Sequence, residues 1–257
     1  MLNFIKYKLD EKAPWVTFIH GAGGSSNIWF KQIRDFKKHF NILLIDLRGH
    51  GNSKNNLAEL QDYSFNALAK DIICVIDFLE IKCTHFVGMS LGTILIREIA
   101  EIRPDCIHKM VLSGATMKLN FRGKFLMQLG IISQNIVPYL LLYKFFAFII
   151  MPRKSQKESR VLFITEAKKL AQKEFMRWFK LTRGINYKLK QYRRTQITIP
   201  TLYIMGDMDY MFLPSIKKLV VLQGSYSTLH VVPKCGHVVN IEKPEIFNKQ
   251  AINFLNS

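Results

Sequence analysis

Six short segments that read as strands, at residues 15–19, 41–45, 84–88, 109–113, 201–205 and 227–232, constrain what this chain can fold into. Most are separated by stretches of helical spacing. Between residues 25 and 39, for example, Ile28, Trp29, Ile33 and Phe36 fall on one helical face. Further helices are expected over 62–79, 91–102, 214–222 and 244–254; Asp62-Tyr63-Ser64 offers cap chemistry to the first, and Pro244 suits the first turn of the last. Strands joined through such helices run parallel and are covered on both faces. The fold class expected is therefore α/β, a mainly parallel sheet flanked by helices, with residues 2–9 as an edge strand. In open sheets of this kind ligands bind outside the carboxyl ends of the strands. His20, Ser90, Asp209 and His237 all fall just after the end of an expected strand, so periodicity alone assigns them to one sheet edge.

The alternation stops after residue 117, and residues 118–195 read as helices without a good strand. The organisation expected is a core of 1–116 and 196–257 interrupted by an inserted helical segment, 117–195. Charge marks the same segment. The chain carries a formal net charge of +18, and residues 117–195 hold 18 Lys/Arg against 3 Asp/Glu. The flanking parts are nearly balanced, with 14 against 12 over 1–116 and 5 against 4 over 196–257. The first part of the segment is apolar, at 125–127, 131–132 and 136–151, with Phe145, Phe146 and Phe148. Pro138 and Lys144 interrupt it, which argues against a membrane span. A pair of pocket-lining helices is the main expectation, and a lid that touches lipid is the alternative. The second part, 153–194, interleaves Lys and Arg with Phe175, Trp178, Phe179 and Tyr187. It reads either as a solvated face or as an attractor for an acidic partner: a carrier protein, a coenzyme A thioester, or an anionic membrane surface. No nucleic-acid motif accompanies the charge, so no nucleic acid is expected.

The N-terminal residues lack the basic-then-apolar pattern of an export signal. Cys74, Cys83, Cys106 and Cys235 follow no metal-ligand spacing and are expected as buried thiols, which points to a reducing cytoplasm.

The strongest chemical signal is Gly88-Met89-Ser90-Leu91-Gly92, between a strand and a helix. That context suits a sharp turn that lifts a serine hydroxyl clear of the sheet, at the positive end of the following helix. A hydroxyl needs an adjacent base. Among seven histidines, His237 follows the last strand and precedes the last helix. His20 and His50 are its rivals, but His20 opens a Gly-rich loop and His50 lies in a turn. The base in turn needs an acid to orient it. Asp207 and Asp209 both follow the strand ending at Gly206; Asp207 sits directly in the turn, which favours Asp209. Backbone N–H groups of Leu91 and of Ala22, in His20-Gly21-Ala22-Gly23-Gly24, are the expected oxyanion donors.

With these motifs in place the chain resembles the α/β-hydrolase superfamily across its length. The resemblance rests on the His20-Gly21 loop, 46–53, the Ser90 pentapeptide, 206–209, and Gly236-His237 followed by 242–245. It implies a Ser90–Asp209–His237 triad, with the acid three residues after the strand-end glycine. It makes 46–53 a structural loop and 117–195 a helical cap over the site. Relatives that use an aspartate nucleophile are excluded by Ser90. The function expected is a serine hydrolase of esters or thioesters, acting through an acyl-enzyme on an apolar acyl group of medium length. No metal or organic cofactor is required for that chemistry. Two other readings stay open. One is a carbon–carbon bond hydrolase, or a lyase like that of the vitamin K pathway, acting on an anionic substrate. The other is a non-catalytic module that docks an acidic protein or membrane.

Overall fold

A computed structural model describes residues 1–54, 62–118, 128, 137–181 and 184–257. The apolar stretches at 125–127 and 131–132 lie outside the described residues. Among the described residues seven strands form one sheet: β1 (Phe4–Tyr7), β2 (Trp15–Ile19), β3 (Asn41–Ile45), β4 (Thr84–Met89), β5 (Ile107–Ser113), β6 (Thr201–Gly206) and β7 (Ser227–Val232). Their order is β1-β3-β2-β4-β5-β6-β7. β1 is the antiparallel edge strand and every other pairing is parallel. All the parallel strands therefore end at the same edge, and the turns carrying His20, Ser90, Asp209 and His237 gather there.

Side chains alternate across the strands, and each parity feeds a separate core. Leu43, Ile45, Phe86, Leu112 and Tyr203 pack with α2 (Phe65–Phe78), α3 (Leu91–Ile102) and α8 (Leu213–Gln223). Val16, Phe18, Ile42, Leu44, Val87 and Ile204 pack on the other face with α1 (Phe30–Phe36), α9 (Val239–Glu242) and α10 (Pro244–Asn256). The expected helix over 25–39 is shorter than its spacing suggests. Ser25 caps a 3₁₀ turn, Ser26–Trp29, through its hydroxyl, and α1 begins only at Phe30. Ser64 caps α2 by accepting from the Ala67 N–H. The thiol expectation needs correction: Cys106 and Cys235 are buried, but Cys74 is exposed on α2 and Cys83 is partly so. Cys74 lies between buried Ile73 and Val75 on the outward arc of α2, where helical period rather than residue type sets exposure.

Between β5 and β6 the described elements are helical: α4 (Tyr139–Ile150), α5 (Lys157–Ala167), α6 (Gln172–Leu181) and α7 (Ile185–Arg194). No helix among the described residues is long and apolar enough to cross a membrane.

Phe18 sits at the centre of the second core, its ring 5.0 Å from that of Trp29 and 5.1 Å from that of Phe36. Phe18→Ala should lower unfolding stability by about 3–5 kcal/mol. Urea denaturation checks this, with a shifted midpoint and an unchanged slope expected.

Candidate active site

Ser90 links β4 directly to α3, with φ 51° and ψ −116°. Its N–H donates to the Ser113 carbonyl at 3.0 Å, and its carbonyl accepts from the Thr93 N–H and hydroxyl. This tight crossing requires Gly92. A Cβ there would stand 2.3 Å from the Ile19 carbonyl oxygen and 2.7 Å from that of His20.

His237 reaches Ser90 from the loop after β7. Its Nε2 lies 3.1 Å from Ser90 Oγ and its Nδ1 lies 2.7 Å from Asp209 Oδ2. Both His237 and Asp209 are buried. Asp209 Oδ1 also accepts from the Phe212 N–H at 3.3 Å. Asp207 is held elsewhere, accepting from the Cys235 N–H at 3.1 Å. With the carboxylate of Asp209 accepting at Nδ1–H, Nε2 is left to accept the Ser90 proton. Glu242 braces the same loop by accepting from the Gly236 N–H at 2.7 Å, and burial raises its pKa.

The loop after β2 is ordered by two histidines. His20 Nε2 accepts from the Leu47 N–H at 3.0 Å, and its Nδ1 bonds the Gly21 carbonyl. His50 Nε2 accepts from the Gly23 N–H at 2.9 Å, and its Nδ1 bonds the Arg48 carbonyl. Each ring uses one nitrogen as acceptor and one as donor, which only a neutral imidazole can do. Burial lowers the pKa of His20, and burial followed by the nearby His20 pushes His50 down to about 3. Asp46 anchors the neighbouring turn. Burial pulls its pKa upward, but bonds from the Ser26 and Asn52 N–H groups outweigh this and hold it below the usual range.

Ala22 and Leu91, the expected oxyanion donors, both line a cavity beside Ser90. Leu91 is the first residue of α3, so its N–H has no acceptor within the helix. The cavity holds about 250 Å³ and is walled by side chains such as Tyr143, Phe146, Phe163, Phe175 and Trp178. Among the described lining residues there is no Lys, Arg, Asp or Glu. No group of three or more potential metal ligands occurs among the described residues.

Side chains that periodicity did not single out seat the helices over this cavity. Tyr143 of α4 donates to the Ala22 carbonyl at 3.0 Å, an approach that leaves no room for a side chain at Gly23. Ser25 donates to Glu166 of α5 at 2.6 Å, Tyr63 to Glu174 of α6 at 2.9 Å, and the Trp178 indole to the Arg48 carbonyl at 3.0 Å. On α7, Tyr192 donates to buried Glu98, which also pairs with Lys188. The turn at 46–53, expected as mostly a structural loop, also supplies His50 to the cavity wall and the Arg48 carbonyl as a docking point.

Comparison with known proteins bears on the fold. Residues 14–132 match the model for the alpha/beta hydrolase fold. The chain has the α/β-hydrolase fold. A Haemophilus influenzae protein with an esterase/lipase name is 25% identical, over 99% of this chain and 87% of its own. An Agrobacterium fabrum protein named as the carbamate hydrolase RutD is also 25% identical, over 96% of this chain and 95% of its own. A crystal structure of a hydrolase from Pseudomonas aeruginosa superposes with a TM-score of 0.84 at 22% identity, covering 100% of this chain and 94% of that one. The protein is an enzyme of the hydrolase type.

The neutral histidines have a consequence for stability. The unfolded chain protonates His50 near pH 6.5, whereas the folded hydrolase resists this down to about 3. The contribution of His50 to stability is therefore fully present above about pH 6.5 and is lost as the pH falls from there toward about 3. Between pH 6.5 and 4.5, His50→Gln should lose about 2 kcal/mol less stability than the wild type. Urea midpoints measured across that range test this, and parallel pH profiles would count against a neutral, buried His50.

Proposed function

We propose that this hydrolase cleaves carboxylic esters or thioesters with an apolar acyl group of medium length, using Ser90 as nucleophile. The observation that carries the reading is the Asp209–His237–Ser90 bond chain opening into an aromatic-lined cavity with no Lys, Arg, Asp or Glu among its described lining residues. In the first half-reaction Ser90 Oγ attacks the acyl carbon while His237 Nε2 takes its proton. N–H groups of Leu91 and Ala22 stabilise the oxyanion. The tetrahedral adduct then collapses, and His237 gives the proton to the departing alcohol or thiol. In the second half-reaction water, deprotonated by the same nitrogen, attacks the acyl-enzyme, and the acid departs as Ser90 regains its proton. Asp209 keeps the His237 tautomer correct and stabilises its cationic form.

The cavity composition supports an apolar acyl chain over an anionic substrate. A buried carboxylate would find no cationic side chain among the described lining residues, and its desolvation would go uncompensated. The helices α4, α5 and α6 serve in this reading as a cap over the acyl group.

Ser90→Ala should lower kcat on p-nitrophenyl esters by about 10⁴-fold or more with an unchanged thermal melt. Retained turnover would remove Ser90 from the mechanism. Across the acetate-to-decanoate series, kcat/KM should rise from acetate to a medium-length chain, by about tenfold for each pair of buried methylenes. A maximum at acetate would contradict an apolar acyl pocket.

A further inference from the structure

Helix α4 is apolar on both of its sides. Its inner side carries Tyr143, Phe146 and Ile150 to the cavity wall. Its outer side presents Leu141, Phe145 and Phe148 to solvent, at 54%, 46% and 57% exposure. These three are spaced i, i+4, i+7 and form one stripe along the helix. A helix apolar on both sides belongs in a protein core or against lipid, and among the described residues α4 packs a core on one side only.

The surroundings of the stripe carry positive charge. Lys144 is exposed within it. Arg153, Lys154 and Lys157 are exposed immediately beyond the α4 C-terminus, and the Arg160 guanidinium lies 4.5 Å over the Phe148 ring. The acids of the inserted segment do not offset these cations. Glu166 and Glu174 are buried at the docking points with Ser25 and Tyr63, and Glu158 pairs with Lys31 of the core. Aromatic and aliphatic side chains bordered by Lys and Arg suit a bilayer interface, the rings entering the acyl boundary and the cations meeting anionic headgroups.

We infer that the outer face of α4, with Arg153, Lys154 and Lys157, docks the protein on an anionic lipid surface. The helix that lines the cavity is then the one that touches the membrane. This inference is independent of what Ser90 does.

Co-sedimentation with phosphatidylcholine vesicles, and with vesicles of equimolar phosphatidylcholine and phosphatidylglycerol, tests it. The wild-type chain should bind only the anionic vesicles and be released by high salt. Phe145→Ser/Phe148→Ser and Lys154→Glu/Lys157→Glu should each lower partitioning by about tenfold or more. Circular-dichroism melts establish that both are folded, and Leu141→Ser takes the place of the phenylalanine pair if it is not. No binding to anionic vesicles at low salt overturns the inference. So does binding that ignores the phenylalanines, which would leave charge attraction alone. A dimer seen by analytical ultracentrifugation and split by Phe145→Ser/Phe148→Ser would assign the face to a second copy of the chain instead.

Discussion

An L-residue at φ 51° costs about 1–2 kcal/mol relative to ordinary backbone, and Ser90 is held there by everything around it. Its N–H is tied to β5 through Ser113, its carbonyl to α3 through Thr93, and Gly92 lets α3 pass against the end of β2. Relaxing the turn would break all three, so the sheet stabilises it. The result is a hydroxyl raised at the edge where β6 and β7 also end. Asp209 and His237 then need only short loops to reach it. The bond chain Asp209–His237–Ser90 follows from strand order as much as from the residues themselves.

The helices between β5 and β6 depend on that same edge. They meet the core through buried polar contacts: Tyr143 to Ala22, Glu166 to Ser25, Glu174 to Tyr63, Trp178 to Arg48, and Tyr192 to Glu98. Several of these land on the turns after β2 and β3, which also wall the cavity. Truncating one partner would leave a buried polar group without its bond, at a cost of about 1–3 kcal/mol. Two of the three acids of this basic segment, Glu166 and Glu174, are thus buried against the core, while cations such as Lys144, Lys154 and Lys157 face solvent. Charge asymmetry in the sequence and the seating of the helices are two sides of one arrangement.

Much of this was legible in the sequence, for identifiable reasons. The strands at 15–19 and 41–45 coincide with their apolar runs because buried parallel strands carry little else. Ser90, Asp209 and His237 could be placed because each follows a strand whose end the pattern reveals. Asp207 could be set aside because it stands directly in the turn, where it indeed bonds Cys235. The contacts of His50, Tyr143, Glu166 and Glu174 were not legible. Each joins elements far apart in sequence, and no periodicity encodes which polar side chain will meet which loop. The exposure of Cys74 follows from its position on the outward arc of α2, which residue type does not reveal.

Activity-based labelling with a fluorophosphonate followed by peptide mapping tests the central claim most directly, because the reagent reports a hydroxyl activated by its neighbours. The account predicts a single adduct on Ser90, absent in Ser90→Ala and strongly slowed in His237→Ala. Adduct formation on another residue, or labelling of Ser90 at an unchanged rate in His237→Ala, would contradict it.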